Sequence, residues 1–345
     1  MIRRTACLIA RGTDPYRNLA IEKHLMDTLP EDTAILYLWQ NQHTIVVGRN
    51  QNPWYECRVE EFLESGGQIA RRLSGGGAVY HDLGNLNFTF ILPKTEFDIP
   101  RQLSVVGMAV GAFGVQVEAS GRNDLHAGGR KFSGNAFYKA GSAAYHHGTL
   151  LVECNMDVLA RYLTVDKQKL EQRGVRSVPS RVVNLRELSS EIGIDALQQS
   201  LYCAFARVYR AQPAMLDERM MDRPTLEKLT GQFESTDWIY PESLPYGFSV
   251  AERFPWGGVT VKLLTEGGVI RSAKIFTDAM EAALFTRIEQ ALVGCPFLIS
   301  AIAGRFEQKL ELLRDQRLLQ VAGDVCTLIC GRIRAMDRGG ETHVM

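Results

Sequence analysis

A chain of 345 residues with 46% hydrophobic and 23% charged residues is long enough for two domains and a core that needs no disulfides. That composition excludes a disordered or collagen-like polymer. Thirty-nine basic residues balance thirty-nine acidic ones, which argues against a nucleic-acid binder working through bulk positive potential.

Taken in chain order, Asp14-Pro15 opens the first helix, with Asp14 as N-cap and Pro15 at the first helical position. Leu19, Glu22, Leu25, Met26 and Leu29 continue it at helical spacing until Pro30. Two apolar strands follow, Ala34 to Trp39 and Thr44 to Val47. A helix around Val59 to Ser65 ends at Gly66-Gly67. Strand Gln68 to Arg72 runs into three glycines, Gly75 to Gly77, and Asn87 to Leu92 alternates as a further strand. A helix from Pro100 through Ala112 precedes strand Val115 to Ala119, a hairpin over Lys131 to Ala136 and strand His147 to Val152. Met156 to Leu163 and Asp195 to Tyr209 read as helices. Beyond the Pro241 to Pro245 link the spacing predicts strands Trp256 to Leu264 and Gly268 to Thr277 around Glu266-Gly267. Helices Glu281 to Val293 and Phe306 to Leu313 follow, and Asp337 to Met345 reads as a frayed polar end. Strands in pairs and hairpins, interspersed with helices, predict an α+β fold with a mixed or antiparallel sheet. The expected division is 1–245 for the main domain and 246–345 for a smaller α+β one.

Seven cysteines, Cys7, Cys57, Cys154, Cys203, Cys295, Cys326 and Cys330, are scattered and odd in number without a CxxC pair, as suits a reducing compartment. No signal-peptide core follows Met1, and the longest apolar stretch, Val105 to Val115, is too short to span a bilayer. A soluble, cytoplasmic protein without membrane or nucleic-acid partners is expected.

Four clusters carry chemistry. The densest is Arg71 to Asp82. Three glycines after a strand let successive backbone N–H groups turn inward as an anion nest, and Arg71, Arg72, Ser74 and His81 crowd the same dozen residues. Three glycines alone would read as a hairpin turn; the neighbours favour a ligand loop. A second cluster runs from Gly121 to Ala136. Asn123 and Asp124 are hard oxygen ligands of the kind that hold Mg²⁺ beside phosphates, and Lys131 offers an ammonium to a carboxylate or α-phosphate. Taken singly, each also reads as a polar turn or a solvated strand residue. In Tyr145-His146-His147-Gly148-Thr149 adjacent histidines on a strand face opposite ways, so they are poor joint metal ligands; one is expected to wall a site and the other to be solvated. The fourth cluster, Gly174 to Arg181, is a basic loop able to close over an anion or simply to face solvent.

These motifs together resemble the lipoate–protein ligase family. The resemblance rests on Arg71-Arg72-x-Ser74-Gly75-Gly76-Gly77-Ala78-Val79-Tyr80-His81-Asp82-x-Gly84-Asn85. It extends to Gly48-Arg49-x-Gln51-Asn52-Pro53-Trp54, Gly121-Arg122-Asn123-Asp124, Lys131-x-Ser133-Gly134, His146-His147-Gly148-Thr149-Leu150 and Arg176-Ser177 to Arg181. Arg253-Phe254-x-Trp256-Gly257-Gly258 and Phe276-Thr277-Asp278 carry it into the last hundred residues, as in the long form with an accessory domain. The segment Leu125 to Arg130 is short.

The resemblance implies the sheet fold of the biotin and lipoate ligases, and a two-step reaction. Lipoate's carboxylate attacks the α-phosphorus of ATP with Mg²⁺ assisting, giving lipoyl-AMP and pyrophosphate. A lysine of an apo lipoyl-domain acceptor then takes the acyl group and releases AMP; acyltransferase subunits of α-ketoacid dehydrogenases and the glycine cleavage H protein are the implied partners. Ser74, Gly75, Gly76 and Gly77 would line the lipoate and phosphate path with Arg72 and His81 nearby, and Val79 and Tyr80 would border the adenosine. Lys131 would bridge carboxylate and α-phosphate as the catalytic residue. Asn123 and Asp124 would sit at Mg²⁺, Ser133, Gly148 and Thr149 along the substrate, and the loop from Arg173 to Arg181 over the adenylate. The main rival is an ATP-independent octanoyl or lipoyl transferase using a thioester on Cys154. The glycine-arginine loop of biotin ligases is missing, and a module that only binds the adenylate is a third reading.

Overall fold

The computed structural model of the chain describes residues 2–120, 124–163, 182–240, 247–310 and 315–339. The chain forms two compact units. The first comprises Met1–Val47, Pro53–Arg72 and Ala78–Tyr240; the second comprises Gly48–Asn52, Leu73–Gly77 and Pro241–Met345.

The first unit is built on β1 (Arg4–Ile9), β2 (Thr33–Trp39), β3 (Thr44–Val47), β4 (Gln68–Arg71), β5 (Val79–His81), β6 (Asn85–Pro93), β7 (Glu118–Ser120), β8 (Asp124–Ala127), β9 (Arg130–Ala140), β10 (Ala143–Leu151) and β11 (Ala214–Met215). Eight of these form one sheet in the order β11-β1-β2-β6-β10-β9-β8-β7. It is parallel at β11-β1-β2 and antiparallel from β2 onward, a mixed sheet as the alternating segments predict. A second sheet, β4-β3-β5, carries the strand that leads into the three glycines. The helix Pro15–Asp27 starts as expected, with Asp14 Oδ1 accepting from the amides of Tyr16 (2.8 Å) and Arg17 (3.0 Å).

Strand alternation divides the large sheet into two unlike faces. On one, Leu36, Leu38, Leu86, Phe88, Phe90 and Leu150 pack against Val105, Val106 and Ala109 of helix Ile99–Gly111 and Leu201 and Phe205 of helix Ile194–Tyr209. Burial of this order, about 2 kcal/mol per large apolar side chain, makes that face the core. The other face carries Tyr37, Trp39, Asn85, Asn87, Thr89 and His147. It meets the helix Pro15–Asp27 through hydrogen bonds from Tyr37 to Asn18 and from Thr89 to Glu22.

In the second unit β12 (Phe248–Phe254), β13 (Gly257–Glu266) and β14 (Val269–Thr277) form an antiparallel sheet. The β13-β14 turn lies at Gly267-Gly268, both at positive φ (57° and 75°), as a two-residue hairpin requires. Helices Ala282–Leu292, Ile299–Leu310 and Gln316–Gly339 cover it, with Phe285, Ile288, Ile302, Val325 and Ile329 in the core. The last helix, Gln316–Gly339, is not among the predicted elements. Its buried stripe runs through Cys330 and Ile333, and of the end read as frayed residues 337–339 belong to this helix while 340–345 lie outside the described residues. The Pro241 to Pro245 link lies outside the described residues.

Candidate active site

The buried polar face of the large sheet is organised as a row. Register places Trp39 of β2 opposite Asn87 of β6, and Asn87 opposite Thr149 of β10. Thr149 Oγ1 accepts from the Gly134 amide of β9 (3.2 Å), and Gly134 lies opposite Asp124 of β8. One line of residues thus crosses five strands, from an indole to a carboxylate. At the end of this line Lys131 Nζ pairs with Asp124 Oδ1 at 2.8 Å. A Cβ on Gly134 would stand 3.1 Å from that ammonium, so the absence of a side chain there lets the lysine arc back over its own strand. The β8-β9 connection is a tight turn, Gly128-Gly129, both at positive φ (55° and 73°), followed by a register shift at Leu125/His126. The short segment therefore fixes Lys131 on the same strand pair as Asp124.

A second line runs parallel to the first. His147 Nδ1 lies 2.8 Å from Glu22 Oε1, which also accepts from Thr89 Oγ1 (2.8 Å); Thr89 in turn accepts from Trp39 Nε1 (3.0 Å). Tyr37 donates to Asn18, Asn18 to Asn41, and Asn41 Nδ2 meets His81 Nδ1 at 3.2 Å. Burial, with the Arg72 and His147 charges nearby, pushes the His81 imidazole down to about 3. It is therefore neutral near pH 7. The Asn41 amide donating to Nδ1 places its one proton on Nε2, and that Nε2 is buried without a partner, as is Asn87 Nδ2. Buried donors without acceptors are uncommon and costly in a folded protein. Their concentration beside Trp39 marks a place built for a polar ligand.

The other expected site residues fall as follows. Arg72 is buried, donates from Nη1 to the Val46 carbonyl (3.0 Å) and keeps its charge although burial lowers it to about 10. Arg71 ties the small sheet to the chain near Trp238. Its fully buried guanidinium donates to the Trp238 (2.8 Å) and Ile239 (2.6 Å) carbonyls, and Trp238 Nε1 returns a bond to the Arg71 carbonyl. Val79 is half-buried, whereas Tyr80 is packed with His43 and Phe62 on the small sheet. Ser133 and Gly148 serve the core face. Ser133 Oγ accepts from Asn135 Nδ2 (3.3 Å), and a Cβ on Gly148 would sit 2.5 Å from Asn135 Oδ1.

Neither histidine of the adjacent pair is solvated, contrary to expectation. β10 is a central strand covered on both sides, so His146 is buried between Gln102 and Asn135 while His147 joins Glu22. Asn123, Arg181 and the loop from Arg173 lie outside the described residues. No group of three or more His, Cys, Asp or Glu side chains that could hold a metal occurs among the described residues.

The three glycines belong to the second unit. Ser74 is fully buried and its carbonyl accepts from the Arg49 amide (2.8 Å). Gly76, at φ 88°, donates its amide to the Ala279 carbonyl (3.1 Å), so this N–H is engaged rather than turned to an open nest. A side chain on Gly75 would overlap that same carbonyl, whereas Gly77 has open space.

Residues 14–206 match the family profile of the lipoyl protein ligase A/B catalytic domain, and residues 243–313 match that of the bacterial lipoate protein ligase C-terminus. The chain belongs to the lipoate–protein ligase family. A lipoate-protein ligase A of Psychrobacter cryohalolentis is 36% identical over 304 residues, covering 86% of this chain and 90% of the relative. Among solved structures, that of P. falciparum LipL1 in complex with lipoate shares 25% identity at a TM-score of 0.82, covering 94% of this chain and 99% of that one. A lipoate-protein ligase A bound with ATP (22% identity, TM-score 0.57, covering 69% and 98%) has the same fold.

Cys154 lacks the surroundings of a nucleophilic thiol. It is buried, and burial with the Asp82 carboxylate beside it raises the thiol far above its ordinary range. A thiolate nucleophile needs the reverse environment. Cys154→Ser is expected to retain acyl transfer within about twofold of the parent, measured by intact mass of the acceptor; loss of transfer would restore the thioester mechanism.

Sequence reading missed Glu22, Trp39, Asn87 and Thr89. Their signal was the alternation Asn85-x-Asn87-x-Thr89, whose polar positions look solvent-facing until the strand is known to lie inside a covered sheet.

Proposed function

We propose that this chain joins lipoate to a lysine of an apo lipoyl-domain acceptor in two steps, through lipoyl-AMP, with ATP as the activating substrate. A carboxylate and an ammonium do not condense unaided in water; conversion to an acyl phosphate provides a leaving group. The observation that carries the reading is the five-strand polar row ending at the Lys131–Asp124 pair, in a chain whose family is defined by lipoate ligation.

In the first step Lys131 offsets the charge of lipoate's carboxylate and the α-phosphate as they meet, which is catalysis by position and electrostatics. Arg72 and the Ser74 to Gly77 loop attend the phosphates, His81 and Thr149 the acyl carboxyl, and Val79 and Tyr80 the adenosine. Ser133 and Gly148 support that wall from behind. Mg²⁺, when bound, neutralises polyphosphate charge. A single carboxylate beside phosphate oxygens and water suits it, with Asn123 and Asp124 as its protein ligands. In the second step the acceptor lysine attacks the acyl carbon and AMP leaves. Residues 1–245 hold this chemistry and 246–345 are accessory to it. Acyltransferase subunits of α-ketoacid dehydrogenases and the glycine cleavage H protein are the proposed acceptors, in the cytoplasm; no helix of the described residues is long and apolar enough to cross a membrane.

The test incubates the chain with ATP, Mg²⁺, lipoate and an apo lipoyl domain, followed by intact-mass measurement. The expected outcome is one lipoyl addition that requires ATP, with AMP and pyrophosphate released. Addition only from an acylated carrier would replace this reading by a transferase, and none from either source by a binding module.

A further inference from the structure

We propose that Asn87 is a catalytic residue of the transfer step: its side-chain amide, together with His81 Nε2–H, donates to the acyl carbonyl oxygen as the acceptor lysine attacks. The inference rests on the proposed ligase reaction and adds to it two donors to the reacting carbonyl.

The amide is oriented rather than free. Asn85 Nδ2 donates to Asn87 Oδ1 at 2.9 Å, which fixes the carbonyl edge and leaves the NH₂ edge facing the row. Asn87 is 2% exposed, and its Nδ2 is buried without an acceptor. His81 is in the same condition. Its Nδ1 is taken by Asn41, its neutral ring carries the proton on Nε2, and that atom too has no partner. Both groups border one side chain. Trp39 pairs in register with Asn87, and its ring lies 6.1 Å from the His81 ring, edge-on.

Position relative to Lys131 narrows what they can serve. Asn87 faces Thr149, and Thr149 faces Gly134, over which the Lys131 ammonium lies. Adjacent strands are about 4.8 Å apart. The two strand spacings from Gly134 to Asn87 thus span about 10 Å, room for a carboxyl-derived group between the ammonium and the amide. An apolar acyl chain alone would leave both donors unpaired, which buried polar groups avoid. The polar atom of that chain is its carbonyl oxygen.

Negative charge builds up on this oxygen in one step only; adenylation removes the share it carried in the carboxylate. In adenylation the carboxylate oxygen bonds to phosphorus and pyrophosphate leaves, so the acyl carbon stays trigonal. In transfer the amine lone pair forms a C–N bond and the carbonyl π pair moves to oxygen. That pair then returns, the C–O bond to phosphate breaks, AMP leaves with its electrons, and one proton passes to water. Two neutral, preorganised donors at the oxygen stabilise that intermediate.

The experiment compares the full-length parent with Asn87→Ala and with Asn87→Asp, which keeps the shape but replaces the NH₂ donor by an acceptor. Lipoate-dependent ATP–pyrophosphate exchange reports the first step, and single-turnover acyl transfer from synthetic lipoyl-AMP to an apo lipoyl domain reports the second. Both variants are expected to lose about 10²–10³-fold in the transfer rate. Exchange should fall at least about tenfold less than transfer, and the acceptor concentration for half-maximal transfer should stay within about threefold. Transfer within about threefold of the parent, or an equal loss in both steps, overturns the inference. Should the alanine variant fail to fold, the aspartate variant decides alone. A parent that supports no exchange would withdraw the ligase reading itself.

Discussion

Lys131→Ala lowers lipoate-dependent ATP–pyrophosphate exchange by an expected factor of about 10²–10³ and leaves the melting temperature within about 2 °C. The two halves of this expectation come from one geometry. The lysine side chain is about a third exposed, and so is its partner Asp124; pairs of that kind contribute under about 1 kcal/mol to folding. Its effect on anions is larger, because the ammonium stands over a residue without a side chain, at the end of a row of buried polar groups. Removing it also leaves the Asp124 carboxylate facing the substrate's negative charge. Lys131→Arg keeps the charge but replaces a compact ammonium by a broad planar fork. Its expected exchange rate falls between those of the parent and the alanine variant. Exchange by Lys131→Ala within about threefold of the parent would remove this residue from the chemistry.

Gly84→Ala is expected to cost the fold about 3 kcal/mol, lowering the melting temperature by roughly 5–10 °C. The position is closed by main chain rather than by side chains. A Cβ there would overlap the Glu153 carbonyl and approach the Cys154 amide. The Gly84 carbonyl accepts from the amides of Val152 (3.0 Å) and Glu153 (2.9 Å), while Asp82 receives the amides of Gly84 (2.9 Å) and Asn155 (2.8 Å). A side chain cannot rotate out of contact with backbone, so the junction must open. It lies one residue before β6, whose register with β10 places Asn85 and Asn87. Acyl transfer from lipoyl-AMP should therefore fall together with stability. An unchanged melting curve would show that the junction yields freely.

Some of this was legible from the chain alone. Asp14-Pro15 marks a helix start through local capping chemistry, and the two-residue turn near Gly267 through the positive φ that glycine tolerates. Lys131 and the glycine run stand out because they are contiguous motifs. The polar row did not stand out, since Trp39, Asn87, Thr149 and Asp124 are brought into line only by strand pairing across five strands. Arg71 misleads for a related reason. Its place in an arginine-glycine motif suggests an anion, yet its guanidinium donates to the carbonyls of Trp238 and Ile239, 167 and 168 residues away in sequence. Helix Arg223–Glu234 was missed because only Leu226 and Phe233 are buried along it, too few to set a periodic stripe.

The make-up of the second unit bears on how this protein can be cut or rebuilt. Because it draws Gly48–Asn52 and Leu73–Gly77 into the same body as residues from Pro241 onward, the polypeptide passes between bodies five times. Deleting everything after residue 246 would strip Gly76 of the Ala279 carbonyl and Asn50 of its bonds with Thr277 and Ala282. A truncated version would therefore carry two raw loops, whereas a version expressed as separate halves would have to rebuild those hydrogen bonds by association.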